Sequence, residues 1–227
     1  YGITNLAGSP TAYRLLMAGG DTVVKALRGK LRAVSSAGEP LTPEVIRWFA
    51  KELGTTIHDH YGQTELGMVL CNHHELEHPV RIGAAGFAVP GHRVVVVNEE
   101  GEELPAGQPG ILAVDRNQSP LFWFPGYPAD PQKSMLKHYY MSGDTVELND
   151  DGSISFVGRS DDVITTSGYR VGPFDVESAL IEHPSVVEAA VIGKPDEERT
   201  ELVKAFVVLG AVYYTHLRAH ETSRYLV

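Results

Sequence analysis

The segment His58-Asp59-His60-Tyr61-Gly62-Gln63-Thr64-Glu65 puts an aromatic ring, a hydroxyl and a carboxylate on one short stretch of chain. Such a set can stack a flat heterocycle, hydrogen-bond a phosphate oxygen and hold a hard cation. The same residues also suit a polar loop around a buried tyrosine, and spacing alone leaves both readings open. Their place directly after a predicted strand matters, because loops at strand ends are where function concentrates. Ser36-Ala37-Gly38-Glu39-Pro40 has small residues that let backbone approach a flat ligand. Gly143-Asp144 sets a carboxylate beside a flexible residue, suited to gripping a pair of ribose hydroxyls. Gly158-Arg159-Ser160-Asp161-Asp162 combines a fixed cation with two acids, and Ser167-Gly168-Tyr169-Arg170 adds a glycine and another arginine. Taken singly, each of these is equally a surface turn.

The elements that must position these groups are legible in outline. Ser9-Pro10 is a helix-start signal for a short helix ending at Gly19-Gly20, and Leu31 to Ser35 reads as a strand. Thr42-Pro43-Glu44 repeats the start signal, and Val45, Ile46, Phe49 and Leu53 recur at helical spacing until Gly54. Thr55 to Asp59 is the next strand, so strand, helix, strand order predicts a parallel α/β sheet with its active loops at the strands' carboxyl ends. From Arg93 to Arg159 the pattern becomes short strands between turn clusters: Val94 to Val97, Ile111 to Asp115, Thr145 to Leu148 and Ser153 to Val157. Asp150-Asp151-Gly152 joins the last two as a hairpin, giving an antiparallel region. A helix around Phe174 to Glu182 and strands over Val187 to Ile192 and Leu202 to Leu209 then form a small α+β unit. The final stretch, 210–227, has no clear period and resembles translated adaptor read-through more than a natural continuation.

Composition narrows the function classes. The 227 residues are 43% hydrophobic and 21% charged, an ordinary globular balance. With 19 basic and 29 acidic residues the net charge is -10, which argues against nucleic acid as a partner. A single cysteine, Cys71, fits a reducing, cytoplasmic setting and excludes a disulfide scaffold. The longest nearly apolar stretch, Ala205 to Tyr214, is shorter than the about 20 residues a membrane span requires. The chain begins at Tyr1 with no targeting pattern, as if in the middle of a longer protein. Cys71, His73, His74, Glu75, Glu77 and His78 suggest zinc at first sight, but lack a second ligand pair at standard spacing and read as a solvated loop. No nucleophile-elbow sequence supports a hydrolase triad.

In chain order, SAGEP, YGQTE, PGYPADPQKS, YYMSGD and GRSDDVITTSGYRVGPFDVESALIEHPSVVEAAVIGKPD together resemble the adenylate-forming, AMP-binding superfamily of acyl-CoA synthetases and nonribosomal adenylation domains. The resemblance covers Tyr1 to Leu209 and is closest to the medium-chain acyl-CoA synthetase branch. It implies the rear of a large α/β N-terminal domain over residues 1–159, with a parallel sheet and a small antiparallel region. A hinge at 160–162, an incomplete small α+β C-terminal domain over 163–209 and a non-native tail over 210–227 would follow.

By that resemblance Gly38, Glu39 and Pro40 line an adenine pocket, Tyr61 stacks on the ring and Asp59 sits at its edge. Thr64 bonds the α-phosphate, Glu65 ligates Mg²⁺, and Asp144 holds the ribose hydroxyls with help from Arg159. Asp161 is the hinge residue, Gly168 lines the pantetheine tunnel and Arg170 faces phosphate groups. Gly62 replaces the bulky residue of acetyl-specific relatives and leaves room for a longer or aromatic acyl group, although a backbone reason for the glycine remains open.

The implied chemistry is activation of a carboxylic acid by ATP as acyl-AMP, with transfer to CoA after the small domain rotates about the hinge. Loading of a carrier protein, or a non-catalytic nucleotide-binding truncation, are the alternatives. The family's phosphate loop and its C-terminal catalytic lysine have no counterpart in these residues, so a fragment inactive in isolation is expected. Oligomeric state cannot be read from the sequence.

Overall fold

The structure is a computed structural model that describes residues 2–210. Its chain divides into two compact units, Tyr1–Phe156 and a second beginning at Val157. The expected hinge residue Asp161 falls a few residues inside the second unit, and the stretch expected to be non-native lies outside the described residues beyond Gly210.

The first unit opens with β1 (Asn5–Gly8), α1 (Pro10–Ala18), α2 (Gly20–Leu27), β2 (Ala33–Ser36), α3 (Pro43–Trp48) and β3 (Ile57–Gln63). Ser9 caps α1 through its side chain, and proline occupies the first turn of both α1 and α3. The expected stop at Gly19-Gly20 is instead a corner. Gly20 takes φ +51 and the chain re-enters a helix, α2, whose Val24 and Leu27 pack on the core. The helix expected to run on to Gly54 is α-helical only to Trp48. Its last turn, Phe49–Leu53, widens to π geometry before Gly54 ends it at φ +72.

These helices cover the side of the sheet that carries Val34 and Ile57. There Tyr13, Leu41, Val45, Ile46, Phe49 and Leu53 form one buried cluster, with Tyr13 and Phe49 edge to face at 5.0 Å. Each such side chain contributes about 1.5–3 kcal/mol on burial, so this cluster fixes where β2 and β3 end.

The sheet continues through β4 (Gly67–Cys71), β5 (Ala84–Ala88), β6 (Val94–Val97), β7 (Pro109–Asp115), β8 (Met135–Leu136), β9 (Tyr139–Leu148) and β10 (Ile154–Arg159). Its order is β1-β2-β3-β4-β5-β10-β9-β7-β6, with β8 on β9. The pairs β1·β2 and β2·β3 are parallel, and every other pair with a described register is antiparallel. The antiparallel region is therefore no separate layer but the continuation of the parallel sheet. Strand β5 carries a glycine in its interior, which weakens its strand signal in the sequence. Gly86 adopts φ +99 with its missing side chain directed at the backbone of Cys71 and Asn72, an approach only glycine allows.

The second unit holds β11 (Ile164–Thr166), β12 (Tyr169–Val171), α4 (Pro173–Ile181), β13 (Val186–Asp196) and β14 (Thr200–Leu209), in a sheet ordered β12-β11-β14-β13. The long β13–β14 pair extends both expected strands. Ile192, Phe206 and Val208 are exposed on it. No helix among the described residues is long and apolar enough to cross a membrane.

Candidate functional site

Parallel pairing sets the stage. Gly8, Ser36 and Asp59 stand in register across β1, β2 and β3, and pairing between β2 and β3 stops at Asp59. The chain nevertheless stays extended to Gln63, so His60 to Gln63 overhang the carboxyl end of the parallel sheet and pair on one side with β4 alone. The segment expected as a loop after a strand is thus the projecting end of the strand. Only Thr64, Glu65 and Leu66 lie in the turn between β3 and β4. A strand held by a neighbour aims its side chains more tightly than a loop does, and the carboxyl end of parallel strands is where such sheets bind ligands.

Alternation along β3 sorts the side chains between two faces. Tyr61 donates its hydroxyl to Asp144 Oδ2, and Gln63 Nε2 donates to the same oxygen at 2.9 Å and to the Ser142 carbonyl at 3.0 Å. Asp144 is 4% exposed and reaches this position because β9 bulges: Leu112 of β7 alone faces Ser142-Gly143-Asp144, and Gly143 takes φ +76. The Asp144 N–H donates to Ser142 Oγ at 3.1 Å, which pins the bulge. Two motifs far apart in sequence, YGQTE and SGD, therefore meet through a buried carboxylate and two donors.

Glu65 accepts a 2.6 Å hydrogen bond from the Tyr127 hydroxyl, which pushes the Tyr127 phenol above its usual range. The Tyr127 ring lies 5.1 Å from Phe124 and under the Lys133 ammonium at 5.3 Å. Tyr127 lies in the PGYPADPQKS motif, no residue of which has an expected role of its own. Tyr127 is the one that orients a site carboxylate, and Gln63 the unassigned donor to Asp144.

On the third side Gly38 turns the chain at φ +92, and Glu39 Oε2 accepts from the Thr11 hydroxyl at 2.6 Å and its backbone N–H at 3.2 Å. Arg14 stands 3.7 Å from the same oxygen. Helix α1 thus anchors the Gly38-Glu39-Pro40 turn.

Asp59 is the most perturbed acid of the unit. Burial raises its carboxyl to about 7, against the lowering influence of the His60 backbone N–H and the Ser36 hydroxyl. A carboxyl with a folded pKa above its unfolded one stabilises the fold in its protonated form. That stability is fully present below the unfolded pKa of about 4 and is lost as pH rises towards 7. Asp59→Asn is accordingly expected to flatten this decline, leaving the variant more stable than wild type at pH 8 by a few kcal/mol. Urea unfolding at about pH 5 and about pH 8 checks it, and a variant that loses stability as steeply as wild type would refute it.

Two expectations need correction. A side chain at Gly62 would meet the Gly67 carbonyl group and sit 2.9 Å from Met68 Cα, so the glycine is required by the close approach of β4, and no room is left open there. The Cys71 to His78 stretch is not uniformly solvated. Cys71 ends β4 in a buried position, and Asn72 is 1% exposed and bonds the carbonyls of Asp59 and Ala84. His74 stacks on His58 at 4.1 Å and meets Ser35 Oγ at 2.9 Å. No group of three or more potential metal ligands forms among the described residues.

The remaining expected site residues belong to the second unit. Arg159 Nε lies 3.4 Å from Asp161 Oδ1. Ser167 and Gly168, at φ +50 and +84, make the two-residue turn between β11 and β12, and Arg170 follows on β12 opposite Thr165.

The mitochondrial acyl-coenzyme A synthetase ACSM4 of Rattus norvegicus is 40% identical over 98% of this chain and 38% of its own length. The acetyl-coenzyme A synthetase of Bacillus subtilis is 42% identical over 92% and 37%. The crystal structure of an acyl-CoA synthetase from Brucella canis superposes with a TM-score of 0.70 at 62% identity, covering 97% of this chain and 41% of that one. The chain therefore spans about two-fifths of the length of the relatives it matches. The profile of the family described as AMP-binding enzyme C-terminal domain matches residues 175–225, running into the stretch set apart from the sequence. That of the AMP-binding enzyme matches residues 1–127, the length of chain that builds the overhanging strand and its anchoring turn, and the chain belongs to the AMP-binding enzyme family.

Proposed function

We propose that the chain is part of an ATP-dependent acid-thiol ligase that activates a carboxylic acid as acyl-AMP and passes the acyl group to CoA. The observation that carries this reading is the meeting of Tyr61, Gln63 and Asp144 at the carboxyl end of the sheet. Tyr61 offers its ring face to adenine, with Gly38, Glu39 and Pro40 as the opposite wall and Asp59 at the edge. Asp144 holds the ribose hydroxyls, and Thr64 donates to the α-phosphate. Within the second unit, Asp161 serves as hinge, Gly168 lines the pantetheine path and Arg170 faces phosphate groups.

Glu65 and the Thr64 hydroxyl are hard oxygen donors of the kind Mg²⁺ takes, and the Tyr127 hydroxyl fixes the Glu65 carboxylate in one orientation. When bound, the ion offsets phosphate charge as pyrophosphate leaves. The chain's own contribution is to hold the α-phosphate beside the acid and to position the nucleotide through a buried carboxylate.

For the acid we propose a medium-chain or aromatic carboxylate. This rests on the likeness to acyl-coenzyme A synthetases and not on Gly62, whose glycine has a packing reason. Relatives named as mitochondrial make that compartment as compatible with one reduced cysteine as the cytoplasm.

The test uses the complete protein from which the chain comes, with ATP and a series of acids from acetate to octanoate and benzoate. Acid-dependent exchange of pyrophosphate into ATP, and CoA-dependent AMP release, are expected. Release that requires a carrier-protein thiol instead of CoA would move the assignment to a loading domain. Absence of both would leave a nucleotide-binding chain only.

A further inference from the structure

The hairpin of β11 and β12 carries Gly168 in its turn and Arg170 on its second strand, and β14 is its neighbour on the other side. The Ser167 N–H donates to the Arg199 carbonyl at 2.9 Å, and Thr166 pairs with Thr200. A continuing antiparallel ladder would next give the Thr165 N–H to the Glu201 carbonyl. The pairing stops at Thr166 instead, and Glu201 Oε2 of the side chain accepts from the Thr165 N–H at 2.7 Å. The hold on the hairpin at this point is therefore set by the reach and seat of one side chain. That seat is Gly193 of β13, where a Cβ would stand 2.8 Å from Glu201 Cδ and nearer still to a carboxylate oxygen. Glycine keeps the place open. Thr200, next to Glu201, takes φ +73, a left-handed conformation that a β-branched residue adopts only where its surroundings hold it. Strain of this kind gathers where geometry is being fixed for function.

We propose that Glu201 is a positioning residue for transfer of the acyl group to CoA: its carboxylate, seated over Gly193, holds the β11–β12 hairpin by the Thr165 N–H and so fixes where Gly168 and Arg170 stand. The proposal rests on the ligase reading above, in which Gly168 lines the pantetheine path and Arg170 faces phosphate groups. Arg170 stands opposite Thr165 in register, so their side chains share one face of the hairpin and a shift of Thr165 carries Arg170 with it. The Ser167-Gly168 turn follows Thr165 by only two residues and has the Arg199 carbonyl as its other anchor. A carboxylate accepting a backbone N–H makes a stronger bond than the carbonyl it replaces, which suits a turn that must keep its shape while a thiol is brought to the acyl group.

The experiment uses the complete protein from which the chain comes and compares Glu201→Asp, which keeps the charge but falls one methylene short, with Glu201→Gln, which keeps the reach and an accepting oxygen. Acid-dependent exchange of pyrophosphate into ATP reports the first half-reaction, and CoA-dependent AMP release gives kcat and KM for CoA. In Glu201→Asp, kcat/KM for CoA is expected to fall about tenfold, the scale of one hydrogen bond to a charged group, with exchange unchanged. Glu201→Gln recovers most of that loss. Gly193→Ala, which keeps Glu201 but takes its seat, reproduces it. No fall in Glu201→Asp, an equal fall in both half-reactions, or a Glu201→Gln enzyme more impaired than Glu201→Asp overturns the proposal. Hydrogen exchange of the wild-type backbone from Ile164 to Gly168 needs no variant: a slowly exchanging Thr165 amide is expected, and a fast one also overturns it. If wild type exchanges pyrophosphate but releases no AMP with CoA, the CoA reading itself has failed and the proposal falls with it; a wrong pattern among the variants alone leaves that reading standing.

Discussion

Asp144→Ala should unfold the first unit at markedly lower urea and abolish AMP binding by the chain. Its carboxylate is 4% exposed and accepts from both the Tyr61 hydroxyl and the Gln63 amide. Truncation leaves the Tyr61 hydroxyl without this acceptor and Gln63 Nε2 with the Ser142 carbonyl alone, and each buried donor deprived of an acceptor costs about 1–3 kcal/mol. A total loss of about 3 kcal/mol is expected, read from the urea midpoint at unchanged slope. Asp144→Asn separates the two jobs of the residue. Its amide oxygen still accepts from Tyr61 and Gln63, so most of the stability returns. It loses the charge and half of the acceptor capacity needed for two ribose hydroxyls, so AMP affinity should stay down by about a hundredfold, the scale of charged hydrogen bonds. Equal recovery of stability and affinity in Asp144→Asn would reduce Asp144 to a packing role and remove the central support of the proposed function.

What the sequence discloses here depends on range. Helix starts at Ser9-Pro10 and Thr42-Pro43 are local chemistry, and both are where expected. The glycine pair at 19 and 20 misleads because a stop and a corner use the same residue; what decides between them is Val24 and Leu27 finding the core, a tertiary fact. Likewise β3 outruns its expected end, because the pairing that extends it comes from β4, across the turn. For the site, residue types and their order were readable, and partners were not. Tyr61 and Asp144 are 83 residues apart and Tyr127 and Glu65 are 62 apart, so no local pattern links either pair. Tyr127 shows the cost: the motif containing it was recognisable, but which of its side chains touches a site carboxylate follows only from the fold.

Gly62→Ala is where local and tertiary readings give opposite outcomes. If the glycine merely leaves space for an acyl group, one methyl costs little stability and trims the substrate range. The structure predicts otherwise. The added carbon would lie 2.9 Å from both Gly67 C and Met68 Cα, and nearer still to the Gly67 carbonyl oxygen. All of these are backbone atoms, and a backbone cannot rotate away as the far end of a side chain can. Relief requires β4 to retreat from β3, which also shifts the short Thr64-Glu65-Leu66 turn and the Glu65 to Tyr127 hydrogen bond. Overpacking of this kind costs about 1–3 kcal/mol. Gly38→Ala is the matched control, because nothing lies within 4 Å of its missing side chain and only the φ of +92 resists substitution. Gly62→Ala should therefore lower stability at least as much as Gly38→Ala, and should weaken Mg²⁺-dependent nucleotide binding along with it. A Gly62→Ala chain as stable as wild type would mean that the two strands stand further apart than this. It would return Gly62 to the acyl pocket, where its size sets substrate range.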